Sequence, residues 1–286
     1  MRPEVIAILS AMGWAGDAIL VRMGARTSNI YGAAFLSYCV SAICLWSYLF
    51  LYFPLNLLWS PATVYFVLSG CLQPLMARVL YYIGMTRLGV SRAGPLRGTS
   101  PLFALTIAVL FLHERPTLLI LGGTSLIVAS VWLVSARVKG EKEWKLFDIV
   151  FPLGAALVAA VSQNLRRGGL LIFPDPYVGA AVSTTTSLVI FVVFLLAAGR
   201  IRLLVPERQS FPFFGSAALV SAGAQVLNFM ALSMGEVSVM VPLLDTTPLF
   251  TVLFSAIFLR DLEKVTPRIV LGALLMVSGV IIISSR

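Results

Sequence analysis

The chain has 286 residues, 59% of them hydrophobic and 12% charged, with a mean hydropathy of +0.97 and a formal net charge of +9. A soluble domain is about 45–50% apolar and about 25% charged, so this balance excludes a soluble globular protein and makes the bilayer the solvent. The 21 Lys and Arg residues fall as ones and twos between apolar runs, which is the pattern of membrane-flanking loops and not of a nucleic-acid-binding patch.

A helix needs about 20 apolar residues to cross about 30 Å of hydrocarbon. Broken at charges, Pro and Gly, the chain predicts about ten spans: 4–23, 31–53, 61–86, 92–112, 117–136, 147–167, 176–198, 211–235, 238–259 and 266–284. The expected fold class is an all-α polytopic membrane protein. The longest connections, 137–145 and 199–210, are too short for a soluble domain, so the activity is expected within the membrane.

The first span holds Asp17, and residues 1–22 do not read as a cleaved signal peptide. Asp17 follows Trp14 by three positions, on one helical face. It either pairs with Arg22 near the span end or offers an acceptor beside an aromatic wall to an ammonium group. Cys39, Cys44 and Cys71 lack metal-ligand spacing, and His113 stands alone; neither a metal nor a cofactor is expected.

In the third span Arg78 and Tyr81 form an i, i+3 polar stripe. The fourth opens with GPLRGTSPLF, residues 94–103, which sets Arg97 between Pro95 and Pro101. These prolines leave carbonyls free, and free carbonyls in a membrane want water or a ligand. Arg97 either snorkels or pairs structurally, or it touches substrate. Glu114 in HERPT and Asp261 in RDLEKVTP occupy matched turns suited to capping.

Gln163 and Asn164 give the sixth span a polar stripe, and Arg166 and Arg167 are assigned to its closing turn. Gln225 and Asn228 do the same for the eighth. In the ninth, Pro242 and Pro248 flank Asp245, which is too short to snorkel. It is a proton- or cation-coupling candidate, as is Asp17, or else a salt-bridge partner of Arg97 or Arg78. No GxxxxGK[ST] loop supports ATP-driven transport.

One segment is written twice. ARVLYYIGMTRLGVSRAGPLRGTSPLFALTIAVLFLHE, from Ala77, lies over AQVLNFMALSMGEVSVMVPLLDTTPLFTVLFSAIFLRD, from Ala224, with about a third of the positions identical and no gap. The register sets Pro95 on Pro242, Pro101 on Pro248, Arg78 on Gln225, Tyr81 on Asn228 and Gly98 on Asp245; a two-residue gap then brings Gly123 onto Gly272. The copies are five spans apart, so they cross the membrane in opposite senses, as in secondary transporters whose site lies at the repeat interface. The expected units are 1–137 and 147–286, joined by a charged linker at 138–146.

These segments, with the opening LSAMGWAGDAILVRMGA, resemble the EamA-type ten-span branch of the drug/metabolite transporter superfamily. The resemblance covers nearly the whole chain. It implies two inverted five-helix repeats around a central cavity, and export or exchange of small metabolites without enzymatic activity.

Lys and Arg crowd the loops after odd-numbered spans, which places those loops in the cytoplasm of a bacterial or archaeal plasma membrane. The expected activity is alternating-access transport of amino acids or related zwitterions. Arg97 and Arg78 would hold an anionic group, and Tyr81, Gln225, Asn228, Asp17, Trp14, Gln163 and Asn164 would line the site. Alternatives are an exchanger of phosphorylated or nucleotide-linked metabolites, an exporter of lipophilic cations and, more remotely, a lipid enzyme or a channel. The partners expected are a small-molecule substrate, the lipid bilayer and a proton as candidate coupling ion; the chain is expected as a monomer or homodimer.

Overall fold

The computed structural model describes residues 1–52, 60–88, 90–135, 145–258 and 267–285. The predicted linker over 138–144, and Arg260, Asp261 and Lys264, lie outside the described residues. Thirteen α-helices are described, with no strand among the described residues. They are α1 (Pro3–Gly24), α2 (Ile30–Tyr52), α3 (Ala62–Cys71), α4 (Ala77–Leu88), α5 (Val90–Arg97), α6 (Ser100–Phe111), α7 (Leu118–Ser135), α8 (Val150–Ile172), α9 (Pro176–Ala197), α10 (Phe211–Met234), α11 (Val237–Leu244), α12 (Thr247–Phe258) and α13 (Pro267–Ser284). Among the described residues, six helical segments are long and apolar enough to cross a bilayer, and four shorter apolar helices belong to the other spans.

Helix ends follow local chemistry. α1 begins with Pro3, carries Glu4 in its first turn and ends with Arg22 in its last, each favourable toward the helix dipole. Asp175 caps α9, its Oδ1 accepting from the Val178 N–H at 2.8 Å. The cap of α11 comes from the other repeat: Glu114 accepts from the N–H groups of Val237 and Ser238 at 2.8 and 2.9 Å.

The repeats meet through small residues, as expected where lipid gives no hydrophobic drive between helices. α7 packs on α13 so closely that a Cβ on Gly123 would stand 2.5 Å from Ile283 Cγ1, and one on Gly279 would stand 2.7 Å from the Gly123 carbonyl. Ser130 Oγ donates to the Gly272 carbonyl at 2.6 Å. Gly123 matches Gly272, and Ser130 matches Gly279 in the same register, so each contact repeats the other across a pseudo-two-fold axis. Similarly, α1 packs on α10 through Gly13, where a Cβ would come 2.8 Å from Ala224 Cβ, and α8 packs on α4 through Pro152 against Gly84.

Among the described residues, three spans are interrupted. Spans four and nine break at Gly98–Thr99 and at Asp245–Thr246. The third span, read above as one helix, divides into α3 and α4 around a π-helical turn at Leu72–Met76, in which Gln73 is extended (φ −132°, ψ 133°). Its repeat counterpart α10 runs unbroken for 24 residues. A further correction concerns the sixth span: α8 continues to Ile172, so Arg166 and Arg167 lie inside a helix and not in a connecting turn.

Candidate functional site

The two breaks are built alike, bond for bond. Gly98 N–H donates to the Gly94 carbonyl at 2.9 Å, and Asp245 N–H donates to that of Val241 at 2.9 Å. Thr99 Oγ donates to the Leu96 carbonyl at 2.7 Å, as Thr246 Oγ does to that of Leu243. Pro101 and Pro248 have no N–H for the carbonyls of Arg97 and Leu244, four residues earlier. The paired threonines, which the reading of the charges passed over, are visible in the sequence as GTSP and DTTP. Each threonine hydroxyl bonds the carbonyl three residues back, next to the one that the proline leaves free.

Arg97 ends α5, where a cation complements the dipole. Its charge acts on Asp245 and on Tyr81. Asp245, at the opposite break, also lies beside the Ser100 side chain, the first residue of α6. The broken ends of the two repeats therefore face one another with opposite charge. Pro242 and Pro101 are buried and Pro248 is half-buried around them; Pro95 lies within α5.

A second group is continuous with this one. Asp17 on α1 and Arg78 on α4 act on each other, and both act on Tyr38 of α2. Tyr82 links this group to Tyr81 and so to Arg97. Arg78 is exposed, although it lies about 15 Å from the end of α4 by helical rise. Asp17 of α1 and Tyr38 of α2 act on it, together with Tyr82 of its own helix. Asp17 and Trp14 are half-buried, and Asp17 Oδ1 has no hydrogen-bond partner.

The polar residues of the second repeat form a separate cluster. Arg166 Nη1 donates to Asn228 Oδ1 at 3.2 Å and reaches Gln163 Oε1 at 3.5 Å, and its guanidinium lies 5.0 Å from the centre of the Phe229 ring. Asn164 ties α8 to α6, donating to the Ala104 carbonyl at 3.1 Å. Gln225 is half-buried on α10. Arg167 donates to the carbonyls of Leu232 and Ser233, closing the end of α10, and it feels the charges of Glu114 and Glu236. Among the described residues, no three His, Cys, Asp or Glu side chains gather as metal ligands.

Comparison with known proteins supports this fold. One solved crystal structure superposes with a TM-score of 0.78 at 12% identity, covering 98% of this chain and 95% of that one; at that identity it establishes the fold. No curated protein matches significantly in sequence. A family model described as the EamA-like transporter family matches residues 1–136 and again 147–285. A double match of that extent, on a helical fold with two inverted repeats, makes the chain an integral membrane protein of the EamA-like transporter family, within the drug/metabolite transporter type.

Proposed function

We propose that the protein exports or exchanges small zwitterionic metabolites, amino acids or their close relatives, by alternating access between its two repeats. One observation carries the reading: Arg78 with Asp17, and Arg97 with Asp245, bring both signs of charge together from α1, α4, α5 and the α11–α12 break, beside an exposed guanidinium. Ionisable groups within a membrane are costly and mark transport paths. In this reading Arg97 and Arg78 receive the substrate carboxylate. Asp17 receives the ammonium group, and Asp245 exchanges a proton or cation as the substrate leaves. The loops after odd-numbered spans lie in the cytoplasm, so the accessible side of Arg78 is the loading side. Catalysis has no part in it.

The test is a thermal-shift panel on detergent-purified protein, followed by uptake into proteoliposomes. Ligands that bind only the folded state raise its melting temperature by mass action. Amino acids should stabilise the wild type, and Arg97→Ala should abolish both stabilisation and transport while remaining monodisperse. Unchanged transport in that variant would reduce Arg97 to an anchor. The presence of two guanidiniums, Arg78 and Arg97, favours a second reading, exchange of phosphorylated metabolites. Stabilisation by sugar phosphates alone would select it.

A further inference from the structure

Asp17 with Arg78, and Arg97 with Asp245, set opposed charges near one another in the interior. Arg166 has no such partner among the described residues. Its residue is only 4% exposed. No ion pair between Arg166 and an acidic side chain occurs among the described residues. Its surroundings are built for a guanidinium but are neutral: the amides of Gln163 and Asn228, themselves 6% and 4% exposed, and the face of Phe229. Both amides turn their oxygens to Nη1, which frees their NH2 groups to donate elsewhere. Nε is a buried donor with no hydrogen-bond partner.

A guanidinium cannot shed its proton in a protein, and a buried charge without a counterion is strongly unfavourable. Charge balance calls for an anion. We infer that Arg166, Gln163 and Asn228 form a second anion-binding site, for a single carboxylate group. The charge count chooses among anions: one carboxylate neutralises one guanidinium, whereas a phosphate dianion would leave the buried site negative. Nε and the two amide NH2 groups supply donors for the two carboxylate oxygens. Arg166 lies six residues from the end of α8, and Asn228 lies six from the end of α10. By helical rise both are about 9 Å below the face that Arg167 and Glu114 close. The occupant reaches the site when that face parts. The site deepens the transport reading above, giving the substrate carboxylate a resting place on the far side of the central charges, and it can be tested apart from transport.

The probe is a carboxylate without an amine, 3-phenylpropanoate, with acetate, chloride and inorganic phosphate beside it, in thermal-shift measurements on the detergent-purified full chain. Phenylpropanoate should raise the wild-type melting temperature, and Arg166→Gln should lose that shift while melting at or above the wild type without ligand. Asn228→Asp places a resident carboxylate against Nη1, so it should raise the ligand-free melting temperature and also abolish the shift; it decides the matter if Arg166→Gln does not fold. Retention of the wild-type shift in either folded variant overturns the site, as does a wild type that responds to phosphate alone or to no carboxylate. Amino-acid uptake is read separately in proteoliposomes. Absent uptake with an Arg166-dependent phenylpropanoate shift sinks only the transport reading, and the reverse result sinks only this site.

Discussion

The two copies of the polar stripe differ in exposure and in charge. In the first repeat Arg78 and Tyr82 are exposed and Tyr81 is half-buried; their counterparts Gln225, Asn228 and Phe229 are half-buried, buried and buried. Up to the turn of each break the difference runs the same way, Leu96, Arg97 and Thr99 being half-buried and Leu243, Leu244 and Thr246 buried. Past it the order reverses, with Ser100 and Pro101 buried and Thr247 and Pro248 half-buried. Yet the hydrogen bonds at the two breaks are the same. Identical bonding at the breaks thus stands in a more open and a more sealed half. At the breaks the asymmetry therefore comes from how the repeats pack, while the third span adds a kink that α10 lacks. Charge sharpens the contrast. The first repeat keeps an arginine and a carboxylate in one group, while the second has a lone arginine among amides.

The largest test of this contrast concerns the third and eighth spans. Pro74 follows the extended Gln73, and its counterpart Ser221 lies in the unbroken α10. Ser221→Pro should destabilise by about 3 kcal/mol through the lost hydrogen bond and the ring clash, whereas Pro74→Ser should change the melting temperature little. Equal effects would mean that the break is not a property of the first repeat. Next, Arg78→Gln writes the second repeat's residue into the first. It should lower transport kcat/KM about 100-fold, the equivalent of one lost charge-assisted contact, while Gln225→Ala stays within about threefold; a reversal would move the substrate to the sealed half.

A smaller effect belongs to the cap across the repeats. Glu114→Gln weakens the bonds that hold the start of α11 and should cost about 1 kcal/mol. Maleimide should then label a cysteine placed at Ser238 faster in that background; an unchanged rate would show that the cap does not hold the face closed. The smallest effect concerns Thr185, which accepts from Trp46 Nε1 at 2.8 Å. Thr185→Val should cost about 1 kcal/mol of stability and leave uptake unchanged. Tyr38→Phe should lower uptake, because Tyr38 shares the group of Arg78.

Much of the architecture was legible in the sequence because it rests on two blunt physical rules, apolar length and the pairing of prolines and charges between repeats. The breaks at Gly98–Thr99 and Asp245–Thr246 lie where Pro95, Pro101, Pro242 and Pro248 bracket them. The break at Gln73 was not legible, since a single proline in an apolar run is compatible with a continuous membrane helix. Arg166 was misread for a related reason. Ending a span at its first pair of charges is sound only when no other helix supplies a neutral polar lining, and Asn228 and Phe229 come from a helix 62 residues further along the chain. Which residues of the polar set gather was equally hidden. The links from Asp17 to Arg78 and from Arg97 to Asp245 join helices far apart in sequence, and only packing reveals them.

The seam between α7 and α13 has a consequence for how the chain is assembled. Its closest contacts set Gly123 against Ile283 and Gly279, and Ser130 against the Gly272 carbonyl, and each of these joins one half of the molecule to the other. Packing of this kind asks for two partners of opposite orientation and is indifferent to the peptide that connects them. The two halves are in effect a dimer of inverted subunits held on a single strand. What the strand supplies is insertion: five preceding spans dictate the sense in which the second half enters the bilayer. Made as a separate chain, that half would have to find its orientation from its own flanking charges.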